Sequence, residues 1–122
     1  MINKNILQHC HQEGFDETEI YGAYKIFFGT LISESRLRII NILRKGKKNV
    51  TELAAVLHLD QTAVSHDLAR LKKCGFVQTE IQGKYHYYML NEKTILPLMQ
   101  LIDHHMSQHC IHILRGVKQH AE

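Results

Sequence analysis

Two short helical patterns, separated by only His58-Leu59-Asp60-Gln61 and followed at once by a hairpin pattern, constrain this chain more than any other stretch. Thr51 reads as the cap of the first, with Leu53, Ala54 and Leu57 turned inward. Leu59-Asp60 opens the second, with Val64, Leu68 and Leu71 at i, i+4 and i+7 and Gly75 as its stop. So short a connection leaves room for a tight turn and nothing else, which makes the pair a helix-turn-helix. Beyond Gly75 the period changes. Phe76–Ile81 and Tyr85–Leu90 are rich in β-formers and are joined by Gln82-Gly83-Lys84, a hairpin signal in the position of a wing.

The flanking segments are helical. Asp16 and Glu19 form a capping box framed by a Phe15/Ile20 staple, so a first helix runs from about 17 to 29 with Ile20, Tyr24, Phe27 and Phe28 along its apolar side. Ser33 opens a second helix carrying Leu37, Ile40, Ile42 and Leu43, which ends at Arg44-Lys45-Gly46. Asn91, inside a Leu90/Ile95 staple, starts a last helix with Ile95, Leu98, Leu101 and Ile102. The only proline is Pro97 and no repeat or low-complexity stretch marks a linker. The expected fold is mainly α (α+β): a winged helix-turn-helix in the order ααααββα. It forms one domain over 1–122, with an arm at 1–15, the helix-turn-helix at 51–75, the wing at 76–90 and the last helix at 91–119.

Net charge is only +3, with a sequence pI of about 8.8, but its distribution is uneven. Arg36, Arg38, Arg44, Lys45, Lys47, Lys48, Arg70, Lys72, Lys73 and Lys84 occupy the middle half, while acidic residues crowd into 13–19. Phosphate backbones attract such a patch. With Val64, Leu68 and Leu71 inward, the fourth helix turns Thr62, Ser65, His66, Ala69 and Arg70 outward. Small hydrogen-bonding groups at the helix start and a cation further along suit base edges and phosphates respectively. A solvated amphipathic helix would present a similar face.

Residues Asp103 to His112 hold four His, an Asp and a Cys, in a chain with 10 His among 122 residues. On a continuous helix His105, His109 and His112 share one face. Imidazoles aligned beside a carboxylate are ligands for Zn²⁺, Co²⁺ or Ni²⁺; the alternative is a polar face that happens to use His. Catalysis is not expected. His105 and His109 have the spacing of a zinc peptidase, but Met106 stands where the glutamate base must be. Asp103-His104-His105 lacks the further Asp-rich motifs of phosphoesterases, and no Gly-rich phosphate loop is present. Three widely separated Cys make no disulfide framework, and neither a signal segment nor a membrane-length apolar run is found, so a cytoplasmic location is expected.

Leu31-Ile32-Ser33-Glu34-Ser35-Arg36-Leu37-Arg38-Ile39-Ile40, Val50-Thr51-Glu52-Leu53-Ala54 and Gln61-Thr62-Ala63-Val64-Ser65-His66-Asp67-Leu68-Ala69-Arg70-Leu71 strongly resemble the ArsR/SmtB family of metal-sensing repressors. The stretch Gly83-Lys84-Tyr85-His86-Tyr87-Tyr88 matches its wing. The resemblance implies a homodimer joined through first and last helices, bound to double-stranded operator DNA when metal-free and released by an inducer. It assigns DNA contacts to Gln61, Thr62, Ser65, His66 and Arg70, with Lys84 and Tyr85 from the wing.

The family's third-helix thiol site is absent, because Glu52-Leu53-Ala54-Ala55-Val56 carries no Cys. Its last-helix site is half matched: Asp103 and His105 fit, but Gly116 stands where a histidine belongs. His109 and His112 are the nearest substitutes. The expected ligands are Asp103, His105, His109 and His112, for Zn²⁺ or else Ni²⁺ or Co²⁺. The competing expectation is a redox or persulfide switch on a thiol site of Cys10 and Cys110.

Overall fold

The computed structural model describes residues 12–121, with side chains through Gly116. The elements are α1 (Glu17–Ile32), α2 (Glu34–Leu43), α3 (Val50–Leu57), α4 (Gln61–Lys73), β1 (Val77–Gln82), β2 (Tyr85–Leu90), α5 (Ile95–His109) and α6 (Ile111–Ala121). The winged helix-turn-helix anticipated from the residue pattern is the fold observed. Cys10 and the first eleven residues of the arm lie outside the described residues.

Capping chemistry sets the helix starts. In α1 the Glu19 backbone N–H donates to Asp16 Oδ1 (2.8 Å) and the Asp16 N–H donates to Glu19 Oε1 (3.4 Å), the reciprocal box its sequence spells. Ser33 accepts from the Arg36 N–H at the start of α2, and Asp60 from the Ala63 N–H at the start of α4. The cap of α3 is Asn49, not the expected Thr51. Asn49 Oδ1 accepts from the Glu52 N–H (2.8 Å) while Glu52 Oε1 accepts from the Asn49 N–H (3.0 Å), satisfying two orphan donors at once.

The turn between α3 and α4 depends on His58, the one non-glycine residue with positive φ among those described (φ 56°). This left-handed cap lets the Leu59 N–H return to the Ala54 carbonyl (3.2 Å). Helix α4 ends in a Schellman arrangement: Gly75 has φ 78°, Phe76 N–H donates to Leu71 O and Gly75 N–H to Lys72 O. Phe76 and Leu71, brought together there, are both fully buried.

The core lies where α2, α3 and α4 meet the wing root. Ile39, Ile40, Leu43, Leu53, Ala54, Leu57, Val64, Leu68 and Leu71 are closed off by Phe76, Val77, Leu90, Ile95 and Met99. The inward faces expected for α3 and α4 are those seen. In α2, Ile39 joins Ile40 and Leu43, leaving Leu37 and Ile42 half-buried. In α1 Ile20 and Thr30 are buried, and Phe27 stacks on Phe76 with ring centroids 5.1 Å apart. Tyr24 and Phe28 stay exposed, because the apolar face of α1 is wider than the core beneath it.

The hairpin turn is tighter than expected. Gln82 pairs with Tyr85, so Gly83-Lys84 alone makes the turn, with Gly83 at φ 63° as a two-residue hairpin loop requires. Lys48 adds a third edge to the wing by exchanging both backbone bonds with Tyr88 (3.1 and 2.8 Å).

The last helix, expected to be continuous over 91–119, is two. Asn91 does not cap it. Its N–H donates to Phe76 O and its Nδ2 to Gly75 O, which ties it to the end of α4. Helix α5 begins at Ile95 and stops at Cys110 (φ −110°, ψ −3°). One turn before the break, Ser107 Oγ donates to the His104 carbonyl (2.8 Å), competing for a ladder acceptor in the way that bends helices.

Candidate nucleic-acid interface and metal centre

Helix α4 presents Gln61, Thr62, Ser65, His66, Ala69 and Arg70 to solvent while Val64, Leu68 and Leu71 are sealed below. Gln61 Nε2 donates to Thr51 Oγ1 (3.4 Å), a contact across the turn. Arg70 reaches back instead of outward: its Nε donates to Thr30 Oγ1 (3.3 Å) near the end of α1. Thr30 is fully buried and lies 3.4 Å from the Cys74 sulfur, so Cys74 packs against α1.

The patch of cations expected in the middle of the chain is partly spent on internal bonds. Arg36 Nε and Nη2 donate to the carbonyls of Thr30 (2.7 Å) and Gly29 (3.3 Å), and its Nη1 meets Asp67 Oδ1 at 3.3 Å. Ser35 Oγ donates to the other oxygen of Asp67 (2.6 Å). Arg36 is therefore a strap between the last turn of α1 and the recognition helix, and not a phosphate ligand. Periodicity gave no signal for Asp67, because its role depends on a partner 31 residues away. Among the described residues no carboxylate pairs with Arg70, Lys72, Lys73 or Lys84, which leaves these cations to the surface.

At the wing, Lys84 Nζ sits 5.8 Å from the centroid of the Tyr85 ring, and Lys47 Nζ 5.4 Å from that of Tyr87. Lys47 also pairs with Glu80 (2.8 Å), and its hydrogen bond and charge hold the Glu80 carboxyl below the usual glutamate range.

On the opposite side, His105 and His109 stand one turn apart on an exposed face of α5, ring centroids 4.7 Å apart and tilted by 36°. Asp103 is engaged elsewhere: its Oδ2 meets Arg44 Nη2 at 2.6 Å. His112 lies beyond the Cys110 break, on α6, and not on one continuous helix with His105 and His109 as expected. Cys110 is a half-buried, unbridged thiol at that break. Among the described residues of one chain, no three His, Cys, Asp or Glu side chains converge on a point that could hold a metal. The imidazole pair fits a borderline divalent ion by its chemistry, and a closed shell needs donors from elsewhere.

The model of bacterial regulatory proteins of the arsR family matches residues 33–79, from the cap of α2 into β1. The cadmium resistance transcriptional regulatory protein CadC of Listeria innocua is 34% identical over 88 residues, which is 71% of each chain. This chain belongs to the ArsR family. A transcriptional repressor SmtB homolog of Synechocystis is 30% identical over 82 residues, 67% of this chain and 62% of the relative. A homodimeric winged helix-turn-helix DNA-binding domain of Mycobacterium bovis superposes with a TM-score of 0.71 at 23% identity, covering 79% of this chain and 89% of that one. As an ArsR-family member the protein is a DNA-binding transcriptional regulator and not an enzyme. Among the described residues no helix is long and apolar enough to cross a membrane.

Proposed function

We propose that this ArsR-family protein is a cytoplasmic homodimeric repressor that holds double-stranded operator DNA when metal-free. It lets go when a divalent ion, Zn²⁺ before Ni²⁺ or Co²⁺, joins the last helices of the two protomers. The carrying observation is the His105–His109 pair, two solvent-facing imidazoles with ring centroids 4.7 Å apart and, among the described residues, no third donor of their own chain to complete a shell. Structural zinc takes four ligands, so a second subunit is the natural source of the rest. Asp103, His105, His109 and His112, drawn from both chains, make an N/O set that disfavours Cu⁺ and arsenite. The relative named for cadmium resistance supports a metal inducer.

Two exposed apolar surfaces support the dimer. On α1, Tyr21, Tyr24, Ile26 and Phe28 face solvent beside a groove of about 640 Å³ that also includes Phe15 and Ala23. On α5 and α6, Leu101, Met106, Ile113 and Leu114 do the same. Apolar areas of this kind mark interfaces. Operator contacts come from Gln61, Thr62, Ser65, His66 and Arg70, with Lys84 and Tyr85 on backbone. Two such helices must lie roughly 34–36 Å apart to enter successive major grooves.

Cobalt substitution tests the site. A strong visible d–d band is expected from a tetrahedral shell, with no intense near-ultraviolet charge-transfer band. Such a band would reveal thiolate ligation and move the sensor to Cys10 or Cys110. Unchanged zinc affinity and DNA release in both His105→Ala and His109→Ala would remove the imidazole pair from the reading. For the DNA side, Ser65→Ala with His66→Ala should abolish sequence-specific binding, and retained operator affinity in an anisotropy titration would refute the placement.

A further inference from the structure

Among the described residues neither His105 nor His109 hydrogen-bonds to another element, whereas Asp103 holds an ion pair outside α5. That partner, Arg44, caps α2, and its side chain is 23% exposed. Its Nη2 meets Asp103 Oδ2 at 2.6 Å and its Nη1 donates to Asn41 Oδ1 at 3.2 Å, so the guanidinium is gripped at both ends. Resting on the ligand set proposed above, we propose that Arg44 is an internal competitor for the metal's carboxylate. Its displacement from Asp103 then carries the metal signal toward the wing.

The physics is a choice between two cations. A guanidinium stays charged at any physiological pH, so it cannot make way for a divalent ion by losing a proton. With Arg44 against Asp103 Oδ2, an incoming ion meets a carboxylate already neutralised and a positive charge a few ångströms off. Asp103 is therefore contested by two cations that repel each other, and the choice between them is the bistable element that coupling between sites requires.

What lies beyond Arg44 gives the exchange a direction. Arg44 begins the segment 44–48, whose far end is fastened to the hairpin. Lys47 pairs with Glu80 of β1, and Lys48 exchanges backbone bonds with Tyr88 of β2. Releasing the near end of this strap changes what holds the wing root against the sensor helix.

The test has one arm without metal and one with it. In chelator, the thermal unfolding of Arg44→Gln, Asp103→Asn and the double variant should be non-additive, the double being no less stable than Asp103→Asn alone. In zinc titrations, Arg44→Gln should bind roughly 3- to 10-fold tighter than the parent protein, with Arg44→Lys between them. The ratio of operator affinities with and without zinc should shrink in Arg44→Gln. Additive unfolding effects, or zinc affinity that is unchanged or weaker in Arg44→Gln, overturn the inference while leaving the ligand set standing. A parent protein that takes up no zinc overturns the ligand set, and the inference with it.

Discussion

The helix-turn-helix and the C-terminal helices are built on opposite terms. In α4, Val64, Leu68 and Leu71 are sealed from solvent by residues of their own chain, and both helix ends are capped. In α5 and α6, Leu101, Met106, Ile113 and Leu114 remain between 42% and 67% exposed. The reading head is thus self-sufficient, and the proposed sensor is a set of parts that the described residues of one chain do not assemble. An effector has most leverage where structure depends on a neighbour, since local stability is lowest where buried apolar contacts are few.

The largest effect that could break this contrast is in the core. Leu68→Ala empties a fully buried position and should cost about 2–5 kcal/mol in urea unfolding. Leu101→Ala, at an exposed position, should change the chain's own stability by no more than about 0.5 kcal/mol. It should instead weaken dimerisation in sedimentation. If Leu101→Ala unfolds the chain as Leu68→Ala does at every protein concentration, the two regions are not built differently.

Ion pairs sharpen the comparison. Arg36 and Asp67, with side chains 17% and 16% exposed, make four polar contacts with each other, Ser35 and the end of α1. Arg36→Met should cost about 1–3 kcal/mol, because Asp67 is left without its cation and two carbonyls lose their donor. The exposed Arg38–Glu34 pair, at 3.6 Å, should lose no more than about 0.5 kcal/mol in Arg38→Met. Urea denaturation of the two variants decides it, and equal costs would mean that Arg36 is an ordinary surface cation.

Next in size is a cap. Asn49→Ala should cost about 1 kcal/mol, and Thr51→Ala a few tenths, as measured by urea unfolding. The pair also shows what could be read from residues alone. Both are cap-competent types, but only Asn49 stands three residues before Glu52, the spacing that let Asp16 and Glu19 identify the start of α1. The inward faces of α3 and α4 were legible for a similar reason: i, i+4, i+7 spacing is a local property. So was the His105–His109 contact, two residues one turn apart.

What local spacing could not carry was tertiary. Arg36 and Arg44 read as members of a basic patch, yet each is aimed at a carboxylate more than thirty residues distant. No periodicity records such a choice. The break at Cys110 was equally hidden, since neither proline nor glycine stands there and the signal is one serine hydroxyl turned onto His104. With the break, His112 stands on a different helix from His105 and His109.

The smallest effect concerns pH at the wing root. Lys47 lowers the Glu80 carboxyl in the folded protein, so protons bind Glu80 more tightly in the unfolded chain. The stability this pair contributes is fully present above the ordinary glutamate range, about 4.3, and is lost as pH falls below it toward the depressed folded value. Glu80→Gln should therefore lower the neutral plateau slightly and leave the acid end of the stability curve unchanged, flattening the acid limb, both read from thermal midpoints. Because the pair is solvent-accessible, 1 M salt should erase this difference, whereas the Arg36–Asp67 strap, shielded from solvent, should keep most of its effect. A Glu80 contribution that survives 1 M salt would place the wing root with the self-sufficient core; one that disappears leaves the wing weakly held, as a strap running from Arg44 to Lys48 requires.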